Sequence, residues 1–287
     1  MKKILLLITM AACSLTANAQ LLWKISGNGL ERPSYVFGTH HMATMSICDS
    51  IRGFEDAFAS VEQVIGEIDA DSMDSPEATE LMMQYMSMPE GTKMTSLFNT
   101  KEIILINSYI KPKLGFTLKD VNTMKPTYLS STITMLMSME YFPEFENEEG
   151  IDTHLQFRAK KYGKAIGGLE TVEFQMDMLY NEDLEQQAED LVYLIKYGNK
   201  AMKLTGKLAQ IYMTQDLKKI DRLMRRGSDK EDLKKSLYDR NTNWIAQMKV
   251  IMPDTPTMFV VGAGHLPGKN GVLQLLENEG YTVEPIY

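Results

Sequence analysis

Cysteine is nearly absent: the 287 residues hold two, Cys13 and Cys48. Cys13 falls inside a leader-like N-terminus, which leaves Cys48 without a partner and excludes an internal disulfide. A lone cysteine beside an apolar stretch is far more often a small buried hydrophobe than a nucleophile. H-E-x-x-H, G-x-S-x-G and phosphate-binding glycine loops are missing as well, so zincin, α/β-hydrolase and nucleotide mechanisms have no support. After the N-terminus no apolar run reaches the roughly 20 residues that span a bilayer. The 30 basic residues are outnumbered by 38 acidic ones, and no basic stripe interleaved with aromatics appears, which argues against a nucleic-acid partner. No stretch rich in proline, glycine and serine divides the chain.

The first nineteen residues read as a secretory signal. Lys2 and Lys3 form a positive start, Ile4 to Ala12 an apolar stretch, and Ala17-Asn18-Ala19 a small-residue cleavage site before Gln20. Its removal leaves 28 basic against 38 acidic residues, a net charge of −10. A periplasmic or secreted location is the expectation. The alternative is a lipoprotein anchored at Cys13 after Met10-Ala11-Ala12, where methionine replaces the more usual branched aliphatic residue.

Residues 20–287 are expected to form a single domain of α+β (mixed α/β) class, with strands at its two ends and helices between. Leu21–Ser26 and Ser34–Phe37 flank the turn signal Gly27-Asn28-Gly29, which predicts a hairpin. Ile51–Val61 has helical spacing, and Gln63–Ile68 reads as a third strand. A helical insertion spans about 76–162, Lys164–Leu169 is a short apolar strand, and a second helical block runs over about 171–251. In that block Ser228-Asp229-Lys230-Glu231 predicts a capping box. Thr257–Val261 and Thr282–Ile286 read as strands around a helix at 271–279. If the N- and C-terminal strands share one central mixed sheet, the helical insertion is expected to pack over it and cover the site.

Two segments repeat one device. Tyr35-Val36-Phe37-Gly38-Thr39-His40-His41-Met42 and Phe259-Val260-Val261-Gly262-Ala263-Gly264-His265-Leu266 are each an apolar run ending in Gly-x-x-His. The chain has four histidines, and two in matched settings at strand ends point to a site. A hydrolytic metal site needs about three protein ligands and an open position for water. His41 and His265 supply two. Glu67 is the third candidate, because a carboxylate interrupting an apolar strand is costly unless paired or coordinated; Asp69 is the alternative two residues on. Mixed nitrogen and oxygen ligation suits manganese, cobalt or zinc. Glu170 closes another apolar strand and is readable as a general base, a further ligand or a carboxylate at a helix start. Arg240 offers a planar fork for a carboxylate or a developing oxyanion, or is a helix-surface residue. Asp152 and His154, on a helix opening at Gly150, are secondary candidates.

These motifs, together with Gly150-Ile151-Asp152, the run from Gly163 to Thr171, Gln175, Arg240-Asn241 and the closing Gly271-Val272-Leu273 to Gly280-Tyr281, resemble the TraB/GumN (Tiki-like) family from about residue 21 to the C-terminus. Members are described as metal-dependent proteases and are similar to erythromycin esterases. The resemblance implies a hydrolase of peptide or protein substrates with a divalent metal, leaning to manganese or cobalt, and it adds weight to Glu170 and Arg240. One variant dispenses with the metal and makes His41 a general base oriented by Glu67. A reading from another class is a non-catalytic protein that sequesters a peptide or cofactor, with the methionine-rich runs Leu81–Met88 and Met135–Met139 forming an adaptable apolar groove.

Overall fold

A computed structural model describes residues 20–40, 43, 45–142 and 150–287. The expected signal at 1–19, the alternative anchor Cys13 and the candidate ligand His41 lie outside the described residues.

The N-terminal hairpin forms as its turn chemistry dictates. Strands β1 (Leu22–Ser26) and β2 (Ser34–Thr39) pair antiparallel. Gly27, Asn28 and Gly29 between them all take positive φ, a conformation that glycine and asparagine adopt at least cost. The expected single helix over 51–61 is instead α1 (Ser46–Ser50) and α2 (Phe54–Ser60), because Gly53 at φ 77° breaks the run. Next come β3 (Gln63–Ile68), the one-turn α3 (Ala70–Met73) and α4 (Pro76–Met86). Helices α5 (Thr100–Leu114), α6 (Pro126–Tyr141) and α7 (Ile151–Lys161) complete the insertion. Strand β4 (Ala165–Glu170) leads to α8 (Val172–Tyr180), the long α9 (Leu184–Met213), α10 (Leu217–Gly227) and α11 (Lys230–Leu233). The cap of α11 is Asp229, one residue later than expected; its carboxylate accepts from the amides of both Glu231 and Asp232. A π-helical turn, Lys234–Tyr238, joins α11 to α12 (Asp239–Asp254). Strand β5 (Thr257–Gly262), a 3-10 turn (Ala263–His265), α13 (Val272–Asn278) and β6 (Thr282–Pro285) close the chain.

The strands make one six-stranded mixed sheet in the order β4-β3-β5-β2-β1-β6. The four from β4 to β2 run parallel, and β1 is antiparallel to both of its neighbours. Every residue of β2 is buried, which explains why it reads as a continuous apolar run. The main core joins the sheet to α2, α7, α12 and α13 through Phe37, Phe54, Leu155, Trp244, Phe259 and Leu276. A second core binds α5 and α6 to α9, with Ile106, Ile110, Leu129 and Ile133 against Leu191 and Met202. A third joins α4 to α8 through Ala78, Met176 and Tyr180. The methionine runs divide by helical phase: Met137 is buried in the second core while Met135 is exposed. Among the described residues no helix is long and apolar enough to cross a membrane.

Candidate active site

Parallel strands deliver their C-terminal ends to one sheet edge, where short loops hold chemistry. The register pairs Thr39 with Gly262 and Ile68 with Glu170, so the ends of β2, β5, β3 and β4 stand side by side. Close approach of β3 and β4 depends on Gly168: a Cβ there would lie 2.4 Å from the backbone nitrogen of Asp69. At the opposite side of the site, Tyr212 of α9 donates its hydroxyl to the carbonyl of Gly38 at 2.9 Å, and its ring lies against that of His40, 5.3 Å between centroids.

The 3-10 turn after Gly262 folds His265 back over the strand ends, where it is 4% exposed. Its Nε2 lies 3.8 Å from Glu67 Oε1. Arg240 enters from α12 and is 6% exposed. Its Nε donates to Glu170 Oε1 at 2.7 Å, and its Nη2 donates to Glu67 Oε2 at 2.6 Å and to Glu170 Oε2 at 2.8 Å. Its Nη1 donates to the carbonyl of Ser236 at 3.1 Å, on the π-helical turn, and faces His265 Nε2 at 3.3 Å. All five guanidinium N–H donors therefore have partners within the protein.

Glu170 is equally engaged. Trp244 Nε1 donates to its Oε1 at 2.9 Å and Gln175 Nε2 to its Oε2 at 3.0 Å, so each oxygen accepts two hydrogen bonds. Glu67 Oε1 accepts the amide of Gly262 at 2.8 Å. Burial alone would lift the pKa of Glu67. The positive charge of His265 when protonated, that of Arg240, and the donors Gly262 N–H and Arg240 outweigh burial and hold it below the ordinary carboxylate value. Asn241 Oδ1 lies 2.6 Å from His265 Nδ1, as an acceptor, while its Nδ2 donates to the carbonyls of His265 and Asn270. Trp244 lies against the imidazole with ring centroids 4.3 Å apart.

Beside this cluster is a cavity of about 490 Å³ whose wall includes Glu67, Ile68, Met73, Asp152, Gln156 and Gln175. Gln156 is buried and ties down the turn after β3, accepting from the Ala70 amide at 3.1 Å and donating to the Ile68 carbonyl at 2.9 Å.

Of the residues expected in a site, the structure brings Glu67, Glu170, Arg240 and His265 together, and it places Asp152 on the adjoining cavity. Asp69 instead caps α3, accepting from the Asp71 amide. His154 is exposed on α7. Asn241, Trp244, Gln156 and Ser236 were not singled out for roles in the sequence. The readable signal for two of them was helical spacing: Arg240, Asn241, Trp244 and Gln247 recur as one stripe of α12, and Gln247 Nε2 donates to the Leu169 carbonyl at 2.7 Å.

The TraB/PrgY/gumN family model matches residues 21–285. The chain belongs to the TraB/PrgY/gumN family. Among curated relatives, it is 22% identical to the metalloprotease TIKI1 of Homo sapiens over 327 residues, covering 92% of this chain and 61% of that protein. It is 23% identical to the metalloprotease TIKI2 of Danio rerio over 314 residues, covering 92% and 60%. This family member thus spans about three fifths of the length of the curated relatives it matches. No solved structure matches it. Among the described residues no three His, Cys, Asp or Glu side chains are gathered as a metal site. Glu67 Oε1 and His265 Nε2 do form a neighbouring oxygen–nitrogen pair of the kind a borderline divalent cation takes. Both groups also face the Arg240 guanidinium, and the remaining expected ligand, His41, lies outside the described residues.

Proposed function

We propose that this chain is a hydrolase of peptide bonds, exported from the cytoplasm, working at the C-terminal edge of its parallel strands. His265, Glu67 and His41 would hold a divalent metal there. What supports this most is the meeting of Glu67, which lines a cavity, with His265, from the ends of adjacent strands and nearly 200 residues apart in sequence. The curated relatives named metalloproteases support it independently. A bound metal of this type supplies Lewis acidity and lowers the pKa of a coordinated water.

The protein's own part is orientation. Glu67 stays ionised and has its carboxylate plane set from two sides, by the Gly262 amide on Oε1 and by Arg240 on Oε2. Glu170 and Arg240 turn their hydrogen-bonding capacity on each other and on their neighbours. Their part is to position Glu67 and His265, in place of the general-base and oxyanion roles expected of them. The cavity receives the substrate over Ile68, Met73 and the α7 face.

A metal-free hydrolase is the second reading. Its specific support is that Arg240 already places a positive charge within hydrogen-bond distance of both carboxylates, leaving an imidazole to accept the proton of the attacking water. The experiment is elemental analysis of purified protein, followed by peptide cleavage before and after chelation and on restoring manganese, cobalt or zinc. Loss on chelation with recovery on one ion supports the metal. Cleavage that persists in a demonstrably metal-free sample sinks it in favour of the second reading. A peptide that is bound and recovered uncut would make the chain a sequestering protein.

A further inference from the structure

We propose that Asn241 is a positioning residue that fixes His265 in its Nδ1–H tautomer and thereby keeps the ring's lone pair on Nε2, toward Arg240 and the strand ends. It rests on His265 being the working imidazole of the function proposed above.

The hydrogen bonds around Asn241 leave one consistent assignment. Its Nδ2 lies 3.2 Å from the His265 carbonyl and 2.8 Å from the Asn270 carbonyl. Carbonyl oxygens only accept, so the amino group must face them and the amide oxygen must face the ring. That oxygen is 2.6 Å from Nδ1, and two acceptors cannot share that distance. Nδ1 therefore carries the proton. The far side of the ring gives the same answer separately. Arg240 Nη1, 3.3 Å from Nε2, has no acceptor capacity, so Nε2 meets it with a lone pair.

The ring has no freedom to escape this choice. It is buried, it lies against Trp244, and the Asn241 side chain grips the backbone of the residue whose ring it orients. Asn241 precedes Trp244 by three positions on α12, so one helix face sets both the plane of the imidazole and its tautomer. The Nδ1–H form is the reverse of the one that free histidine prefers. A partner on Nδ1 that fixes which nitrogen is available for ligation is the general device of oriented metal-site histidines.

The test uses full-length protein with 15N-labelled histidine, freed of metal by chelation. Long-range 1H–15N correlation spectra distinguish pyrrole-type from pyridine-type ring nitrogens. With four histidines the spectrum is tractable, and loss of one ring system in His265→Gln assigns it. In the unmodified protein His265 should show a pyrrole-type Nδ1 and a pyridine-type Nε2. Asn241→Leu should shift the ring toward the Nε2–H form, and Asn241→Asp, which keeps an acceptor at Nδ1, should retain the original tautomer. An Nε2–H tautomer in the unmodified protein overturns the proposal without any variant, and so does a folded Asn241→Leu that keeps Nδ1–H. Manganese or zinc titration is the separate arm, with affinity about 10–100-fold weaker in Asn241→Leu. A tautomer that behaves as described in a protein that binds no metal upholds the role of Asn241 and counts against the metal-dependent function alone.

Discussion

Arg240→Met keeps the aliphatic stem beneath Trp244 and removes the guanidinium that lies 5.0 Å over that indole. Two carboxylates then lose their counter-charge. Glu170, whose side chain is 5% exposed, keeps only the donors Trp244 Nε1 and Gln175 Nε2; Glu67, at 16%, keeps only the Gly262 amide. Breaking a buried ion pair by removing one partner costs about 3–5 kcal/mol, because a charge is left uncompensated. Glu67 borders the cavity and can rehydrate, so the cost falls mainly on Glu170, toward the lower end, at about 3 kcal/mol. For a chain of this size that corresponds to a fall in Tm of roughly 6–12 °C. Adding Glu170→Gln should return about half of the loss, since neutral replacements of a buried pair are often close to neutral. Urea unfolding followed by tryptophan fluorescence is the suitable assay: the two tryptophans, Trp23 on β1 and Trp244 on α12, both report on the sheet layer and not on the separate helical core. A loss below about 1 kcal/mol, or a double variant whose losses simply add, would refute the view that Arg240 exists to neutralise these carboxylates.

Glu67 should make stability depend on acid. Its folded pKa lies below its ordinary value, so its contribution is present above about pH 4.3 and is lost as pH falls through the folded value; Glu67→Gln should show a shallower decline in Tm over that range, and superimposable curves would contradict this. An isolated 76–162 fragment should show no cooperative melting by circular dichroism, because its buried positions Ile106, Ile110, Leu129 and Ile133 complete their packing on Leu191 and Met202 of α9. His41→Ala and His265→Ala should each abolish peptide cleavage, and the double variant should lose little more than either single, as for residues acting as one unit; full activity in either folded single variant removes that histidine from the site.

The parts of the fold that were legible are those whose burial shows in the residues themselves. Strand β2 is buried at all six positions and β5 at all but its last, so both read as uninterrupted apolar runs, and the polar residues ending them stood out. His265 was visible for that reason, and Glu67 because it interrupts the apolar run of β3. The join of Glu170 to Arg240 was not, because it depends on α12 crossing the end of β4 from 70 residues away. The helical spacing of Arg240, Asn241 and Trp244 marks one buried face of α12, but nothing local says what that face meets. Asn241 and Trp244 show why: each reads as an ordinary helix residue until the imidazole and the carboxylate arrive beside it. Local boundaries missed for smaller reasons, as where the Asp229 carboxylate outcompetes Ser228 for the first amides of α11.

The central position of β5 has a bearing on how the chain comes to be folded. It lies between β2 and β3 and is the strand that pairs with both. Until residue 257 has been made, the N-terminal hairpin and the β3–β4 pair have no hydrogen-bonded neighbour in common. Each presents an open, apolar strand edge of the kind that recruits other chains. Pairings separated by about 220 residues are also slow to close. A growing or interrupted polypeptide of this sequence therefore cannot settle its sheet from the N-terminus onward. Nascent chains stopped anywhere before β5 should be aggregation-prone and rely on holding chaperones, while the finished chain closes both edges in one step.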